Sequence, residues 1–105
     1  MRILLKVTMP TERANQMVMD GTLSTTIESI LKQLKPEAAY FTEDQGLRTG
    51  YIFCDLASES QIPAIAEPWF LALGAKVEFR PAMVLKDMKK AGPGFESAIK
   101  KYGQK

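Results

Sequence analysis

Along this chain the hydrophobic period switches between two and 3.6 residues, and the order of the switches leaves few folds open. Residues 2–9 place Ile3, Leu5, Val7 and Met9 on one face and Leu4, Lys6 and Thr8 on the other, as a strand does, and Pro10 ends it. Thr11 is placed to cap a helix from Glu12 that carries Ala14, Met17 and Val18 and stops at Asp20-Gly21. Ile27, Ile30, Leu31 and Leu34 then recur at helical spacing, with Thr25 and Glu28 in capping-box positions, so residues 12–34 read as one broken helical arm. Two β-prone runs, 37–44 and 47–56, follow as a hairpin. From Ser58 or Ser60 a second helix carries Ile62, Ile65, Ala66, Trp69, Phe70 and Leu73. Pro63 suits its first turn, whereas Pro68 lies too deep and predicts a kink or a restart. Gly74 stops it, and residues 76–80 alternate again, with Val77 and Phe79 inward.

The resulting order β-α-β-β-α-β is that of a split βαβ unit. Right-handed crossovers then put two helices on one face of a four-stranded antiparallel sheet ordered four, one, three, two. The other face would carry Leu4, Lys6, Thr8, Glu78 and Arg80 from the central strands. The hairpin strands are apolar or aromatic at both parities: Tyr51 and Phe53 oppose Ile52 and Cys54, and Tyr40 opposes Phe41. Strands of that kind are buried on both sides. A second copy of the sheet, stacked about a two-fold axis, is the economical cover, so a homodimer is expected.

Beyond residue 83 the pattern changes. Val84, Leu85 and Met88 start a short helix that Gly92-Pro93-Gly94 is expected to break, and Phe95, Ala98, Ile99 and Tyr102 mark a last amphipathic segment. Residues 84–105 carry a formal +4 while residues 1–83 carry −2, within a net charge of +2 over 105 residues. The domain organisation is therefore one α+β domain, 1–83, with a basic helical extension, 84–105, belonging to the same domain. Gly92-Pro93-Gly94 lacks the preceding strand and following Lys-Ser/Thr of a phosphate loop. The short tail reads as a helix with solvated lysines rather than a nucleic-acid contact.

Histidine is absent, which removes Ser-His-Asp and Cys-His machinery, His-ligated haem and the usual zinc sites together. No metal or cofactor is expected. The lone Cys54 forms no disulfide within the chain, the N-terminus lacks a secretory apolar core, and no apolar run reaches the ~18 residues of a membrane span, so a cytoplasmic, non-membrane protein is expected.

Gly50-Tyr51-Ile52-Phe53-Cys54-Asp55-Leu56, Ser58, Ile62-Pro63-Ala64-Ile65, Pro68-Trp69-Phe70 and Lys76-Val77-Glu78-Phe79 follow one another as a third strand, second helix and fourth strand. In this stretch the chain resembles the dimeric α+β-barrel superfamily of ferredoxin-like domains, above all its small members of uncharacterised function. It is more loosely similar to muconolactone isomerases and cofactor-free monooxygenases. The resemblance implies a ferredoxin-like βαββαβ fold closed into a dimeric barrel. It carries over no catalytic residue, and the haem chemistry of some branches needs a histidine this chain lacks.

Candidate ligand-binding residues are Lys6, Tyr40, Tyr51, Asp55, Glu78 and Arg80. Lys6, Glu78 and Arg80 would converge on the uncovered face and suit an anion; the plainer reading is a cross-strand Lys6–Glu78 ion pair. Tyr40, Tyr51 and Trp69 would grip a planar ligand; the plainer reading for Tyr51 is packing, and Trp69 falls in the apolar stripe of the second helix and reads as core. Asp55 ends an apolar strand, where burial would make it a general acid or base, or else it starts a turn. Cys54 reads as an inert buried thiol. The expected function is a homodimeric barrel holding a small anionic or aromatic molecule. The alternatives are a cofactor-independent monooxygenase or isomerase, and a structural or regulatory interaction module.

Overall fold

The computed structural model describes residues 1–103. Lys105, counted above in the basic tail, lies outside them. The elements run β1 (Arg2–Thr8), α1 (Thr11–Met19), α2 (Leu23–Leu34), β2 (Ala38–Asp44), β3 (Leu47–Asp55), a 3-10 turn (Glu59–Gln61), α3 (Ile62–Leu73), β4 (Lys76–Pro81), α4 (Leu85–Lys90) and α5 (Gly92–Tyr102). The four strands form one antiparallel sheet in the order β2-β3-β1-β4, an α+β architecture compatible with a ferredoxin-like fold.

Strand parity decides what is buried. Ile3, Leu5 and Val7 of β1 and Ile52 and Cys54 of β3 share one face and are almost fully buried. Ala14 and Met17 of α1, Ile30 of α2, and Ile65, Trp69 and Leu73 of α3 close over them, with Val77 and Phe79 of β4 packed alongside. Helices α1 to α3 thus cover a single face of the sheet. The hairpin turns through Gln45 and Gly46, both at positive φ (54° and 79°), the pair of left-handed residues a two-residue loop needs between right-twisted strands. Glu43 Oε2 accepts from the Gly46 amide at 2.8 Å and tightens the turn.

Local signals in the sequence are redirected at several helix ends. Neither Thr11 nor Thr25 caps: α1 begins at Thr11 behind Pro10, and the Thr25 hydroxyl donates instead to the Thr22 carbonyl inside α2. The break between α1 and α2 is made by Asp20, whose carboxylate accepts from the Thr22 amide. Ser58 caps the 3-10 turn, and Gln61 Oε1 accepts from the Ala57 and Ser58 amides. α3 neither stops nor restarts at Pro68. The carbonyl that loses its helical donor belongs to Ala64, which is exposed, so water can take the donor's place. Nor does Gly92-Pro93-Gly94 form a loop: Pro93 sits in the first turn of α5, where its missing N–H has no helical acceptor to lose, and the chain leaves helix only around Ala91.

The extension stands off the body. The radius of gyration is 17.7 Å, against about 13 Å for a compact chain of this length, and the principal extents are 60 × 30 × 20 Å. From Pro93 to Gly103 every residue is exposed.

Candidate functional site

The sheet face without helices carries the chemistry. In register, Tyr40 of β2, Tyr51 of β3, Lys6 of β1 and Glu78 of β4 form one row across all four strands. The next row is Ala38, Phe53, Leu4 and Arg80, and on the other side lie Thr42, Thr49, Thr8 and Lys76. Four of the six candidate residues therefore share a row, and Arg80 adjoins it.

The ion pairing differs from the expected Lys6–Glu78 bridge. Lys6 Nζ lies 2.6 Å from Asp44 Oδ2, and the Tyr51 hydroxyl donates to the same oxygen at 2.9 Å. The Lys6 ammonium also stands 6.0 Å from the centre of the Tyr51 ring. Glu78 is taken by its own strand, with Arg80 Nη2 at 2.8 Å and Lys76 Nζ at 3.5 Å. Arg80 wins because residues two apart on a strand point to the same side and a guanidinium spans that spacing with no backbone cost. Asp44, the last residue of β2, is the one site residue absent from the sequence candidates. The available signal was its even offset from Tyr40, which puts it on the same face at the hairpin end.

The electrostatics of the trio follow from these contacts. The hydrogen bond from Lys6, then that from Tyr51, holds the Asp44 carboxyl below the usual carboxylate value. The bond to Asp44 raises Lys6, against an opposing effect of desolvation. The same carboxylate, helped by desolvation, raises the Tyr51 phenol. At neutral pH the three are ammonium, carboxylate and phenol, each pushed further from the point where it would exchange a proton. Tyr51 and Lys6 lean along the strands to reach Asp44, past the row of threonines. Within that row Thr49 is buried, its hydroxyl donating to the Leu47 carbonyl.

The other candidates are elsewhere. Asp55 lies at the far end of β3, opposite Arg2, and its exposed carboxylate takes the Met1 ammonium at 3.1 Å, so the burial its acid–base role required is missing. Trp69 is fully buried under the helices, on the opposite side of the sheet from Tyr51, and belongs to the core. Cys54 is buried too, and desolvation pushes its thiol up, away from a reactive thiolate. Tyr40 is 64% exposed and presents its ring at the edge of the row. Among the described residues no cluster of His, Cys, Asp or Glu is arranged to hold a metal ion, and no helix is long and apolar enough to cross a membrane.

On the uncovered face Lys6, Tyr51 and Glu78 are half-buried and Tyr40 and Arg80 exposed in the single chain. A concavity of about 750 Å³ opens on the other side, between α2 and the hairpin, lined mainly by Met9, Leu23, Ile27, Leu31 and Phe41. None of the candidate residues lines it. Comparison with protein-family models, with curated proteins and with solved structures finds no match to this chain.

Proposed function

We propose that the chain works as a homodimeric, ferredoxin-like α+β barrel that holds a small planar molecule, aromatic and bearing an anionic group, between two stacked sheet faces. The observation that carries the reading is the row Tyr40–Tyr51–Lys6–Glu78, with Phe53 and Leu4 beside it, on a face that helices α1 to α3 leave uncovered. Half-buried aromatic and aliphatic side chains there offer a flat apolar floor, and a twin sheet turns that floor into an enclosed site. The pairing of Lys6 with Asp44 favours the aromatic part of the ligand over its charge, because an anion at Lys6 must compete with a carboxylate already in place. Arg80, 56% exposed, is the freer cation, although Glu78 holds one side of it.

Binding is better supported than catalysis. Lys6, Asp44 and Tyr51 are each pushed away from neutrality, whereas proton transfer at neutral pH calls for a group poised near it. The test joins mass and binding. Sedimentation equilibrium should give twice the 11.7 kDa chain mass at micromolar protein. The aromatic anion anilinonaphthalene sulfonate should bind with blue-shifted emission, and Tyr51→Ala should weaken that binding at least several-fold while the dimer persists. A monomer mass, or dye binding indifferent to Tyr51, would refute the proposal.

A further inference from the structure

Helix α5 has a sharply divided surface, and among the described residues its side chains from Pro93 onward are exposed. Phe95, Ala98, Ile99 and Tyr102 recur at helical spacing and form one stripe. In the single chain Phe95 is 55%, Ile99 61% and Tyr102 75% exposed. An eleven-residue helix is marginal in water on propensity alone, so its stability has to come from burial of that stripe. The body, in turn, carries the open apolar groove between α2 and the hairpin, floored by Leu23, Ile27 and Leu31 and walled by Phe41, which is 46% exposed. A stripe without a groove and a groove without a stripe occur in the same molecule.

We propose that α5 of one copy docks by this stripe in the α2–hairpin groove of a second copy, each copy giving its arm to the other. The inference rests on the homodimer argued above and names where its C-terminal arms go. Topology argues for a second copy rather than the chain's own groove. The arm leaves the sheet at Pro81, opposite Ile3 and at the β4 edge, whereas the groove lies at the Met9 end of the sheet behind the β2 edge, diagonally across the sheet. The extension points away from the body, giving the 60 Å long axis. In a two-fold stack, a β4 edge of one sheet can lie beside the β2 edge of the other, which brings the arm to the partner's groove.

The groove itself carries Glu28 against Lys32 and Arg48, so a basic arm gains no net attraction there and the contact rests on apolar burial. Size is sufficient. Two aromatic side chains and an isoleucine from each arm, with the groove surface they cover, and the operation done twice, bring the contact into the range of about 1,200–2,000 Å² that specific interfaces bury.

The test uses two full-length variants, Ser24→Cys at the groove rim and Ile99→Cys on the stripe; the native Cys54 is buried and unreactive. The two are mixed, equilibrated and treated with a short bismaleimide. The expected product is a covalent dimer that needs both cysteines, persists at 1 M salt and disappears when Phe95→Asp is added to the arm. Absence of this product from a sample that sediments as a dimer would overturn the docking and leave the dimer standing. A link formed within a single chain carrying both cysteines, in dilute monomeric protein, would show the arm folding onto its own groove and would also overturn it. A monomer mass with no link would remove both proposals.

Discussion

Lys6 on β1 meets Asp44 on β2 at 2.6 Å although β3 lies between their strands, and Tyr51 of that intervening strand donates to the same carboxylate oxygen. The contact is made by side-chain reach over a neighbouring strand, not by strand pairing. It ties the edge strand of the hairpin to the centre of the sheet and anchors the Tyr51 hydroxyl.

The pH dependence of stability follows from that trio. The Asp44 carboxyl is depressed from its ordinary 3.8, so its contribution is complete above 3.8 and is lost as pH falls through the lower folded value. Lys6 is raised from 10.5, so its contribution is complete below 10.5 and is lost as pH rises through the higher folded value. Urea midpoints should therefore be flat from about pH 5 to 9 as far as this cluster is concerned. Asp44→Asn should lower the plateau and shrink both limbs, because Lys6 loses its partner as well. Parallel curves for the wild type and Asp44→Asn would contradict the pairing.

Tyr51 gives the trio an optical reading. Its phenol is raised from 10.0, first by the hydrogen bond to Asp44 and then by desolvation. The 295 nm absorbance titration should contain a component ionising above the ordinary tyrosine range of about 10. Tyr51→Phe should delete that component, and Asp44→Asn should return it toward the ordinary range. A late component that survives Tyr51→Phe would assign the effect to another residue.

Gly50 faces Phe41 across the hairpin, and a Cβ added to it would lie 2.9 Å from Phe41 Cε1. The aromatic ring fills the space a side chain would occupy. Gly50→Ala should destabilise by about 1 kcal/mol, at the low end of overpacking costs, because the clash is with the far end of a half-exposed ring able to swing away. In the Phe41→Ala background the same substitution should cost almost nothing. Chemical denaturation of the two single variants and the double variant measures the coupling, and additive effects would show that the ring and the glycine do not sense each other.

Much of this was legible in the chain itself, and the remainder failed for local reasons. The parity of Ile3, Leu5 and Val7 against Leu4, Lys6 and Thr8 was enough to place the buried and open faces, because a period of two leaves only one way to bury the larger set. The same parity brought Tyr40, Tyr51, Lys6 and Glu78 to one face. It could not choose Asp44 over Glu78 as the partner of Lys6, since that choice depends on how far long side chains lean along the strands. Asp55 looked buried from its apolar neighbours, but it is the last residue of its strand, where the N-terminal ammonium claims it. Trp69 reads as core from the apolar stripe of its helix, and α3 sets it fully buried against the sheet.

Pro68 supplies the clearest change of stability. It stands inside α3, where a proline removes one helical hydrogen bond and crowds the preceding turn, a penalty of about 3 kcal/mol in a helix interior. Part of this is offset in the natural chain, because proline also restricts the unfolded state by about 0.4–1 kcal/mol and because its half-buried ring lines a cleft with Ile30 and Ile65. Pro68→Ala restores a donor for the Ala64 carbonyl and removes the ring. The expected net effect is a stabilisation of about 1–2 kcal/mol, seen as a rise of several degrees in Tm by calorimetry. Unchanged or lower Tm would mean that the ring's packing against α2 outweighs the helix it interrupts, and Pro68→Val, which keeps apolar bulk while restoring the donor, would then be the more stable variant.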